Sequence, residues 1–330
     1  MFKDKRILIT GGTGSFGNII AKRLLKYNPK EIRIFSRDEK KQDDMAYIYK
    51  NQNNMHFIIG DVRDKNAVKN AMRNIDMVFH AAALKQVPNS EYNVIEAVKT
   101  NIIGAQNVID AALEFNVEKV VAISTDKAVE PVNVMGMTKA IQEKLITVSN
   151  LYKGDKRTMF CCVRYGNVLG SRGSVVPLFK KQITEGKQLT VTHKDMTRFI
   201  LTLDQAIDLV FFATEHTRGG EIFVLKVPSH TVMDLAEVML FELKAKNKKM
   251  IISGIRPGEK MHETLISPTE SLRTVEKKDF FIILPQLGFE EIKKIYPEFK
   301  KEQLFRYSSD TACRIGKKEL KKLLKKEGWI

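Results

Sequence analysis

Short apolar runs alternate with helical periods through the first half of this chain, and no other feature constrains the fold as strongly. Six runs are rich in Val, Ile and Phe: Arg6–Thr10, Glu31–Ser36, Met55–Asp61, Asp76–Ala83, Lys119–Thr125 and Thr158–Arg164. Such continuous apolar runs are typical of parallel strands that are covered on both faces. Stretches between them, such as Ser15–Lys26 and Ile95–Glu114, carry apolar residues at three- and four-residue steps, which is the helical period. The pattern predicts an α/β fold with a Rossmann-like, doubly wound parallel sheet.

The strand–helix rhythm changes near residue 168. Beyond it, two strand-like segments, Glu221–Val227 and Lys249–Ile255, accompany helical periods at Val175–Glu185, Leu203–Ala213 and Thr231–Lys246. This half has too few strands for a Rossmann sheet of its own. We therefore predict a Rossmann-like domain at 1–168 and a smaller mixed α/β lobe at 169–330, with some later elements returning to the first sheet.

Composition narrows the classes of partner. The 330 residues include 55 Lys and Arg against 39 Asp and Glu, a net charge of +16, which suggests nucleic acid, a membrane surface or an acidic small molecule. The sequence has no basic stripe with interleaved aromatic residues of the kind that stacks on bases. It also lacks an apolar run near the roughly 18 residues of a membrane span, a signal-peptide core and a cysteine framework. We expect a cytoplasmic protein without a metal site that binds an anionic small molecule.

A glycine-rich turn follows the first predicted strand directly. Its sequence is Gly11-Gly12-Thr13-Gly14-Ser15-Phe16-Gly17. Glycines at this spacing let the backbone turn tightly and approach a pyrophosphate at a helix N-terminus. The position between a strand and a helix predicts dinucleotide binding by Gly11, Thr13, Gly14, Ser15, Phe16 and Gly17. The alternative is a glycine-rich turn that binds nothing.

The end of the second predicted strand distinguishes between two dinucleotides. NAD sites usually place an acidic residue there, against the ribose 2′-hydroxyl. This chain has Ser36-Arg37-Asp38 followed by Lys40, and a hydroxyl with a guanidinium suits a 2′-phosphate. We therefore favour NADP, although Asp38 can still rotate toward a ribose. After the third strand, Asp61-Val62 is placed to border the adenine, or Asp61 is a turn or cap residue.

Further motifs follow in a fixed order. His80-Ala81-Ala82-Ala83 ends the fourth apolar run, and Asn101-Ile102-Ile103-Gly104 lies in the next helical stretch. With the glycine spacing, this set resembles the extended short-chain dehydrogenase/reductases. The resemblance implies that Ala81 and Ala82 border the cofactor. His80 and Asn101 are interpreted as structural residues.

Seven local blocks resemble one family of that superfamily, the C5-inverting UDP-N-acetylglucosamine 4,6-dehydratases. In the family's order they are Ser36-Arg37-Asp38-Glu39, Ala82-Ala83-Leu84-Lys85-Gln86-Val87-Pro88, Ser124-Thr125-Asp126-Lys127-Ala128, Arg164-Tyr165-Gly166-Asn167-Val168, Ser171-Arg172-Gly173-Ser174-Val175, Asp195-Met196-Thr197-Arg198-Phe199 and Arg256-Pro257-Gly258-Glu259-Lys260. The resemblance implies an enzyme that binds NADP and a UDP-sugar and oxidises C4 of the sugar. It then removes water across C5 and C6 and inverts C5.

The superfamily's YxxxK motif is altered in this chain. Met135 stands four residues before Lys139, and positions i and i+4 share a helix face, so Met135 points where the usual tyrosine points. A thioether has no ionisable proton and cannot act as a base. The change resembles the capsule and O-antigen branch of the family, which has methionine there, whereas the flagellin-glycan branch keeps tyrosine. The resemblance implies that Lys139 binds the nicotinamide ribose. The alternative interpretation is an inactive site.

Asp126-Lys127 takes the place of the Asp-Glu pair that retaining 4,6-dehydratases of this superfamily carry after the fifth strand. We assign Lys127 as the base that removes the C5 proton and Asp126 as the acid that helps the C6 hydroxyl leave. A free lysine has a pKa of about 10.4. We expect burial, with the positive nicotinamide or Lys85, to lower the pKa of Lys127 toward neutrality. The base for the C4 hydroxyl stays open among Thr125, Asp126 and Lys127.

The remaining family blocks imply a binding site for the UDP-sugar. Arg198 and Arg256 are natural forks for the diphosphate. By resemblance, Lys85 and Asn167 reach the sugar, Glu259 holds the uridine ribose, and Arg172 is a weaker candidate. Any of these residues can instead form a structural ion pair. Relatives assemble as dimers or hexamers, so we expect a homo-oligomer.

Two other functions compete with an inverting dehydratase. One is a 4-epimerase or 4-reductase on the same nucleotide sugar, although epimerisation at C4 needs no C5 base such as Asp126-Lys127 provides. The other is a non-catalytic NADP-binding sensor. The C-terminal segment 314–330 holds seven basic residues against two acidic ones. It predicts a terminal helix packed by its apolar side, and membrane-surface binding by this segment is a hypothesis.

Overall fold

The structure is a computed structural model that describes residues 1–171, 173–245, 249–299 and 304–330. The strands are β1 (Arg6–Thr10), β2 (Glu31–Ser36), β3 (Met55–Ile59), β4 (Met77–His80), β5 (Lys119–Ile123), β6 (Met159–Arg164), β7 (Leu189–Val191), β8 (Thr197–Phe199), β9 (Ile222–Leu225), β10 (Ser229–Thr231), β11 (Met250–Ile252), β12 (Thr264–Ile266), β13 (Thr274–Glu276), β14 (Phe280–Ile283) and β15 (Tyr307–Ser308). Each of the six strands predicted for the first half lies within its predicted run.

The helices alternate with these strands. They are α1 (Ser15–Leu25), α2 (Glu39–Ile48), α3 (Lys65–Met72), α4 (Val87–Tyr92), α5 (Val94–Ala97), α6 (Gly104–Glu114), α7 (Val134–Val148), α8 (Val175–Thr184), α9 (Leu203–His216), α10 (Val232–Glu242), α11 (Pro268–Ser271), α12 (Phe289–Lys293) and α13 (Lys317–Lys326). A π-helical segment, Val98–Ile103, joins α5 to α6, and a 3₁₀ turn, Asp126–Ala128, follows β5.

One nine-stranded sheet organises the molecule. Its order is β13-β14-β9-β6-β5-β4-β1-β2-β3, and the strands from β9 through β3 pair in parallel. At the other edge, β14 pairs antiparallel with β9, and β13 pairs antiparallel with β14. The doubly wound α/β fold predicted from the sequence is confirmed. The strand order reverses at β1, and α/β proteins bind ligands at such a point.

The apolar runs form strands because both faces of the sheet are covered. Ile7, Leu8 and Ile9 of β1 are fully buried, and so are Val120 and Ala122 of β5. Strand propensity and burial agree at these positions. These strands share one core with helices on either side and with β9 and β14 from the second half.

A second apolar cluster is built from residues after 168. It includes Leu169, Phe179, Leu189 and Leu235, and Leu320 and Leu324 of α13 complete it. The terminal helix therefore packs by its apolar side. Its lysines Lys317 and Lys321 form ion pairs with Glu237 and Glu242 of α10. Much of the positive charge of this segment is thus paired with an acidic neighbouring helix.

The structure differs from the sequence prediction in several places, among them the short strands β7, β8, β10, β12 and β15, which were not predicted. The predicted helix Ile95–Glu114 contains the π-helical segment, whose wider turn carries Asn101. The Asn101 side chain accepts a hydrogen bond from the Leu84 amide and donates one to the Leu84 carbonyl, which fixes the loop after β4. The edge hairpin of β13 and β14 was not expected. Lys246, the last residue of the predicted helix Thr231–Lys246, lies outside the described residues.

Candidate active site

The loops that leave the carboxyl ends of the parallel strands carry most of the candidate residues. Because these ends share one edge of the sheet, the glycine turn after β1, the alanines after β4 and the Thr125-Asp126-Lys127 loop after β5 lie side by side. Tyr165-Gly166-Asn167 follows β6 at the same edge. The fold therefore assembles one site from segments that are far apart in sequence.

The glycine turn packs against the loop after β4. Gly11 has a φ of +66°, and a Cβ built on it would lie 2.8 Å from the Ala82 amide nitrogen. A Cβ on Gly17 would lie 2.2 Å from the Gly12 carbonyl oxygen. Only glycine fits this close approach, which brings the predicted residues Gly11 and Ala82 together. The Ala81 amide donates to the Thr10 carbonyl, which fixes the loop.

Helix α1 begins directly after this turn. Its N-cap is Gly14, and no side chain among the described residues caps it there. Thr13 is buried, and Phe16 packs partly buried against the main core. The first turn of α1, which starts at Ser15, therefore presents backbone amides at the edge of the sheet, and such amides bind anions.

The segment after β2 contains exposed side chains as well as side chains that already have hydrogen-bond or ion-pair partners. The Arg37 side chain is 51% exposed and lies 3.4 Å from an Asp61 carboxylate oxygen. The hydroxyl of Ser36 accepts a hydrogen bond from Gln42. Asp38 caps α2 through the Lys41 amide and pairs with the Lys41 ammonium. Lys40 is 83% exposed and pairs with Asp44.

Asp61 is the centre of a small ion network after β3. Burial acts to raise its pKa, but hydrogen bonds from Arg63 and the charge of Arg37 outweigh burial, so the pKa of Asp61 is lowered. Val62 is buried, and its carbonyl accepts a hydrogen bond from Asn107. Asp61 thus has the structural role of a turn residue and also holds Arg37.

Lys127, a partly buried lysine of the loop after β5, lies between two carboxylates. The Lys127 ammonium is 3.0 Å from Asp126 Oδ1 and 3.1 Å from Glu263 Oε1. We call Asp126, Lys127 and Glu263 the Lys127 cluster. Thr125 caps the 3₁₀ turn, and its hydroxyl donates to Asp126 Oδ1 at 2.9 Å. The Lys127 side chain keeps 22% exposure, whereas Asp126 is fully buried and Glu263 is nearly so.

The charges of the cluster set its proton affinities. Burial raises the pKa of Asp126 although Lys127 opposes it. Burial acts to lower the pKa of Lys127, but Asp126 and Glu263 outweigh it, so the pKa of Lys127 is raised. The expectation that its pKa falls toward neutrality is therefore wrong for the chain alone, because two carboxylates flank the amine. The pKa of Glu263 is lowered by Lys127 and Arg198, which together overcome burial.

Glu263 is the member of the Lys127 cluster that the sequence interpretation missed. It lies 136 positions after Lys127, directly before the short strand β12. An acidic residue beside the apolar run Thr264–Ile266 is the only local signal, and it does not indicate which loop the carboxylate meets. Because the contact joins two distant segments, only the folded chain shows it.

Met135 and Lys139 share the inner face of α7 and are both buried. The Lys139 ammonium donates to the Ile123 carbonyl at 2.5 Å and to Gln142 Oε1 at 2.8 Å. No carboxylate is within ion-pair distance among the described residues, and burial lowers the pKa of Lys139 to about 8. The same buried region holds His80, whose pKa falls to about 3 through burial and the charge of Lys139.

The predicted substrate residues fall into two groups. Arg198 is buried, donates to the Thr197 and Met261 carbonyls, and lies 4.0 Å from Glu263. Asn167 Oδ1 is buried, with no hydrogen-bond partner among the described residues. These two residues belong to the region around the Lys127 cluster. Arg172 lies outside the described residues.

The other predicted substrate residues lie nearer the surface. Arg256 and Glu259 form an exposed turn in which the Arg256 amide donates to the Glu259 carboxylate. Asn133 binds the Gly258 carbonyl, and Lys260 binds the Val129 carbonyl, so this turn is docked beside the loop after β5. Lys85 is exposed in the loop that Asn101 fixes. Within the described ranges, no group of His, Cys, Asp and Glu side chains is placed to hold a metal ion.

The sheet and its loops define a protein with the Rossmann-like fold of the short-chain dehydrogenase/reductases. The dTDP-glucose 4,6-dehydratase of Streptomyces venezuelae, solved with NAD and TYD bound, matches this fold with a TM-score of 0.72 and 21% identity over 78% of this chain and 86% of its own. A model of the polysaccharide biosynthesis protein family matches residues 7–285, and the chain belongs to this family.

More similar proteins match over nearly the whole chain. The X-ray structure of Pen from Bacillus thuringiensis is 45% identical, with a TM-score of 0.91 over 98% of this chain and 99% of its own. A UDP-glucose 4-epimerase of Rickettsia typhi is 46% identical over 98% of this chain and 96% of its own length.

An uncharacterised membrane protein of Methanocaldococcus jannaschii is also similar. It is 47% identical over 100% of this chain and 98% of its own length. Among the described residues of the present chain, no helix is long and apolar enough to cross a membrane.

Proposed function

We propose that this chain is an NADP-dependent UDP-N-acetylglucosamine 4,6-dehydratase that inverts C5. Its product is UDP-2-acetamido-2,6-dideoxy-β-L-arabino-hex-4-ulose, a precursor for capsule or O-antigen sugars. The observation that carries the proposal is the lysine of the Lys127 cluster, because the loop after β5 supplies an amine beside a carboxyl group whose pKa is raised. Dehydration across C5 and C6 needs a base for one carbon and an acid for the other.

The residues at the glycine turn fit a dinucleotide. The close approach at Gly11 and Gly17 leaves no room for side chains, and the first turn of α1 offers its amides to a pyrophosphate. Arg37 has one carboxylate partner at 3.4 Å and half of its side chain exposed, which suits a 2′-phosphate. Asp38 is occupied as the cap of α2, which further favours NADP over NAD. When bound, this cofactor accepts a hydride from C4 of the sugar and returns it to C6.

The Lys127 cluster supplies the proton transfers. A carbonyl at C4 makes the C5 proton acidic, so a neutral Lys127 amine can remove it. Asp126, whose pKa is raised, can take up a proton and donate it to the departing C6 hydroxyl. A proton that C5 then takes up on its other face gives inversion.

The C4 hydroxyl needs a base other than Met135, which has no ionisable proton. Thr125 and Asp126 share a hydrogen bond of 2.9 Å, and Lys127 is bound to the same Asp126 oxygen. Our hypothesis is that one group of this loop serves twice, first for the C4 hydroxyl and then for the C5–C6 step. A Met135→Tyr variant should then keep a low activity, and a large rise in turnover would show that the site merely lacked its tyrosine.

The substrate residues extend from the Lys127 cluster toward the surface. Asn167, with its buried Oδ1, and Lys85 are proposed to bind the sugar, and Arg256 and Glu259 the diphosphate and the uridine ribose. Arg198 is proposed to act on the diphosphate. The Arg198 guanidinium is buried and already donates hydrogen bonds to two backbone carbonyls. It therefore acts on the diphosphate from the buried side of the site.

A nucleotide-sugar 4-epimerase is the second candidate. The Rickettsia typhi relative carries that name at 46% identity. Epimerisation at C4 does not change C5, so it does not need the Asp126-Lys127 pair as an acid and a base. A non-catalytic sensor would bind NADP and leave the sugar unchanged. The proposed homo-oligomer and the cytoplasmic location do not distinguish among the three.

Incubation with UDP-N-acetylglucosamine and NADP in heavy water separates these functions. We expect mass and proton spectra to show loss of one water, a deuterium at C5 and a new methyl group at C6. A C4 epimer without loss of water supports the epimerase and overturns the proposal. Unchanged sugar after prolonged incubation with folded, NADP-bound protein supports the sensor.

A further inference from the structure

Glu263 is held rigidly at the start of β12. Its backbone amide donates to the Ser309 hydroxyl at 3.0 Å, and its carbonyl accepts from the Ser309 amide at 2.8 Å. Its side chain is 3% exposed. A carboxylate fixed in this way by two backbone contacts keeps its position relative to the loop after β5.

Four charged groups from three segments surround this carboxylate. Lys127 is 3.1 Å from Oε1, Arg198 of β8 is 4.0 Å from the same oxygen, and Lys260 contributes a more distant positive charge. Asp126 is the other carboxyl group of the cluster. The second oxygen, Oε2, is buried and has no hydrogen-bond partner among the described residues. Burying an ionised carboxylate with one oxygen unpartnered is costly, so its retention at this position needs a function.

The proposed reaction requires Lys127 to lose a proton before it can act as a base. In the resting cluster the ammonium is stabilised by both carboxylates. During the reaction Asp126 must carry the proton that it delivers to the C6 hydroxyl, so it cannot also keep the proton of Lys127 through the same step. The neighbouring arginine and lysine donate only. Glu263 is the remaining acceptor in contact with the amine.

We infer that Glu263 is a positioning residue that takes the proton of Lys127 and returns it at the end of each cycle. In this step the N–H bond at Lys127 Nζ breaks and an O–H bond forms at Glu263 Oε1, so an ammonium and a carboxylate become an amine and a carboxylic acid. No electron is transferred. The amine then accepts the C5 proton and releases it to solvent, C5 takes a solvent proton on its other face, and the amine recovers its own proton from Glu263. This inference rests on the proposed function.

The step leaves a signature in the pH dependence of C5 exchange. When the proton moves inside the cluster, the rate of hydrogen exchange at C5 needs no hydroxide, so the wild-type profile is flat between about pH 6 and 8. A Glu263→Gln variant keeps the size of the side chain but must lose the Lys127 proton to solvent. We expect its exchange rate at pH 7 to fall by about a hundredfold and to rise about tenfold per pH unit.

Two further variants distinguish a role of Glu263 in proton transfer from a structural role. Glu263→Asp keeps an acceptor, so it should show a reduced rate with a flat profile. Glu270→Gln removes a buried carboxylate seven residues away that binds Arg164 and not Lys127, and it should also keep the flat profile. A Glu263→Gln enzyme with a flat profile at the wild-type rate overturns the inference. So does a faster enzyme, because Lys127 would then titrate freely with solvent.

A measurement without substrate tests the contact by itself. The pH at which acetic anhydride modifies Lys127, located by mass spectrometry, should be lower in Glu263→Gln than in the wild type, because one anionic neighbour is lost. If Lys127 is modified at the same pH in both proteins, the contact between Lys127 and Glu263 is overturned. If the wild type forms no 4-keto-6-deoxy product, the proposed function fails. If it forms the product and Glu263→Gln leaves the C5 profile unchanged, only this inference fails.

Discussion

Two buried clusters join the parallel sheet to the same C-terminal segment, and each has a cation between two carboxylates. In the first, Lys127 meets Asp126 and Glu263. In the second, which we call the Arg164 cluster, Arg164 of β6 meets Glu143 of α7 and Glu270 of α11. Glu263 and Glu270 are seven residues apart. The two clusters therefore have a similar charge pattern and similar burial, but they differ in how many of their carboxylate oxygens accept hydrogen bonds.

The Arg164 cluster is saturated. Its guanidinium donates to both oxygens of Glu143 and both oxygens of Glu270, and also to the Leu265 carbonyl. In the Lys127 cluster, Asp126 Oδ2 and Glu263 Oε2 are buried without a hydrogen-bond partner among the described residues. An arginine cannot be deprotonated in proteins, whereas a lysine can. In our proposal the Arg164 cluster stabilises the fold and the Lys127 cluster transfers protons.

Removal of the cation from the saturated cluster should have the largest effect on stability. Arg164→Met leaves Glu143 and Glu270 buried without their partner, so we expect the free energy of unfolding to fall by about 3–5 kcal/mol. Urea denaturation of the purified variant measures this. Arg164→Lys keeps the positive charge but loses the forked guanidinium. Its free energy of unfolding should lie between those of the wild type and Arg164→Met. A loss below about 1 kcal/mol for Arg164→Met would contradict the structural role of the cluster.

Lys139 sharpens the comparison because it is a buried cation that has no carboxylate within ion-pair distance in the described part of the chain. Its pKa is lowered from 10.5 to about 8, so between these pH values the unfolded chain holds a proton that the folded chain has lost. Stability therefore rises with pH across this interval. Relative to Lys139→Met, the wild type should gain about 3 kcal/mol of unfolding free energy from pH 8 to pH 10.5.

The control for this pH dependence is Lys127→Met. Because the pKa of Lys127 is raised, both the folded and the unfolded chain keep its proton below pH 10, and the wild type should gain nothing relative to this variant. Urea denaturation at several pH values checks both variants. A wild-type gain that is the same relative to each would show that the two lysines have similar environments.

The smallest expected effect belongs to an exposed ion pair. Arg37 contacts Asp61 at 3.4 Å and is half exposed, so it can turn to a 2′-phosphate. Arg37→Ser should weaken NADP binding by about tenfold and leave NAD binding unchanged. Arg157→Ser is the matched control, since Arg157 is also about half exposed and pairs with Glu118 at the surface. Calorimetric titration without substrate measures both, and equal losses for the two variants would contradict the role of Arg37.

The sequence was sufficient to predict features that depend on the residues of a single segment. The glycine spacing predicts the turn at Gly11, because a left-handed backbone and a close approach to Ala82 exclude side chains. The order of apolar runs predicts six parallel strands. The Asp126-Lys127 pair predicts an amine beside a carboxyl group, and the two side chains meet at 3.0 Å in the loop after β5.

The sequence was insufficient where a role depends on a distant partner. Arg198 looks like a free fork for a diphosphate, but the fold buries it against the Met261 carbonyl. The lowered pKa expected for Lys127 is wrong because Glu263 adds a second carboxylate. Such contacts span more than sixty residues, and no local pattern specifies them. The domain boundary at 168 stays a prediction, and β9, β13 and β14 from beyond it join the first sheet.

The central claim, that the Lys127 cluster transfers the C5 proton, is tested most directly by the fate of the C5 hydrogen. Wild type and Lys127→Ala are incubated with UDP-N-acetylglucosamine and NADP in heavy water, and deuterium at C5 is followed by proton spectroscopy. We expect Lys127→Ala to bind cofactor normally and to lose between about 10²- and 10⁴-fold in C5 exchange. Exchange at the wild-type rate in Lys127→Ala would contradict the account, because another group would then be the base.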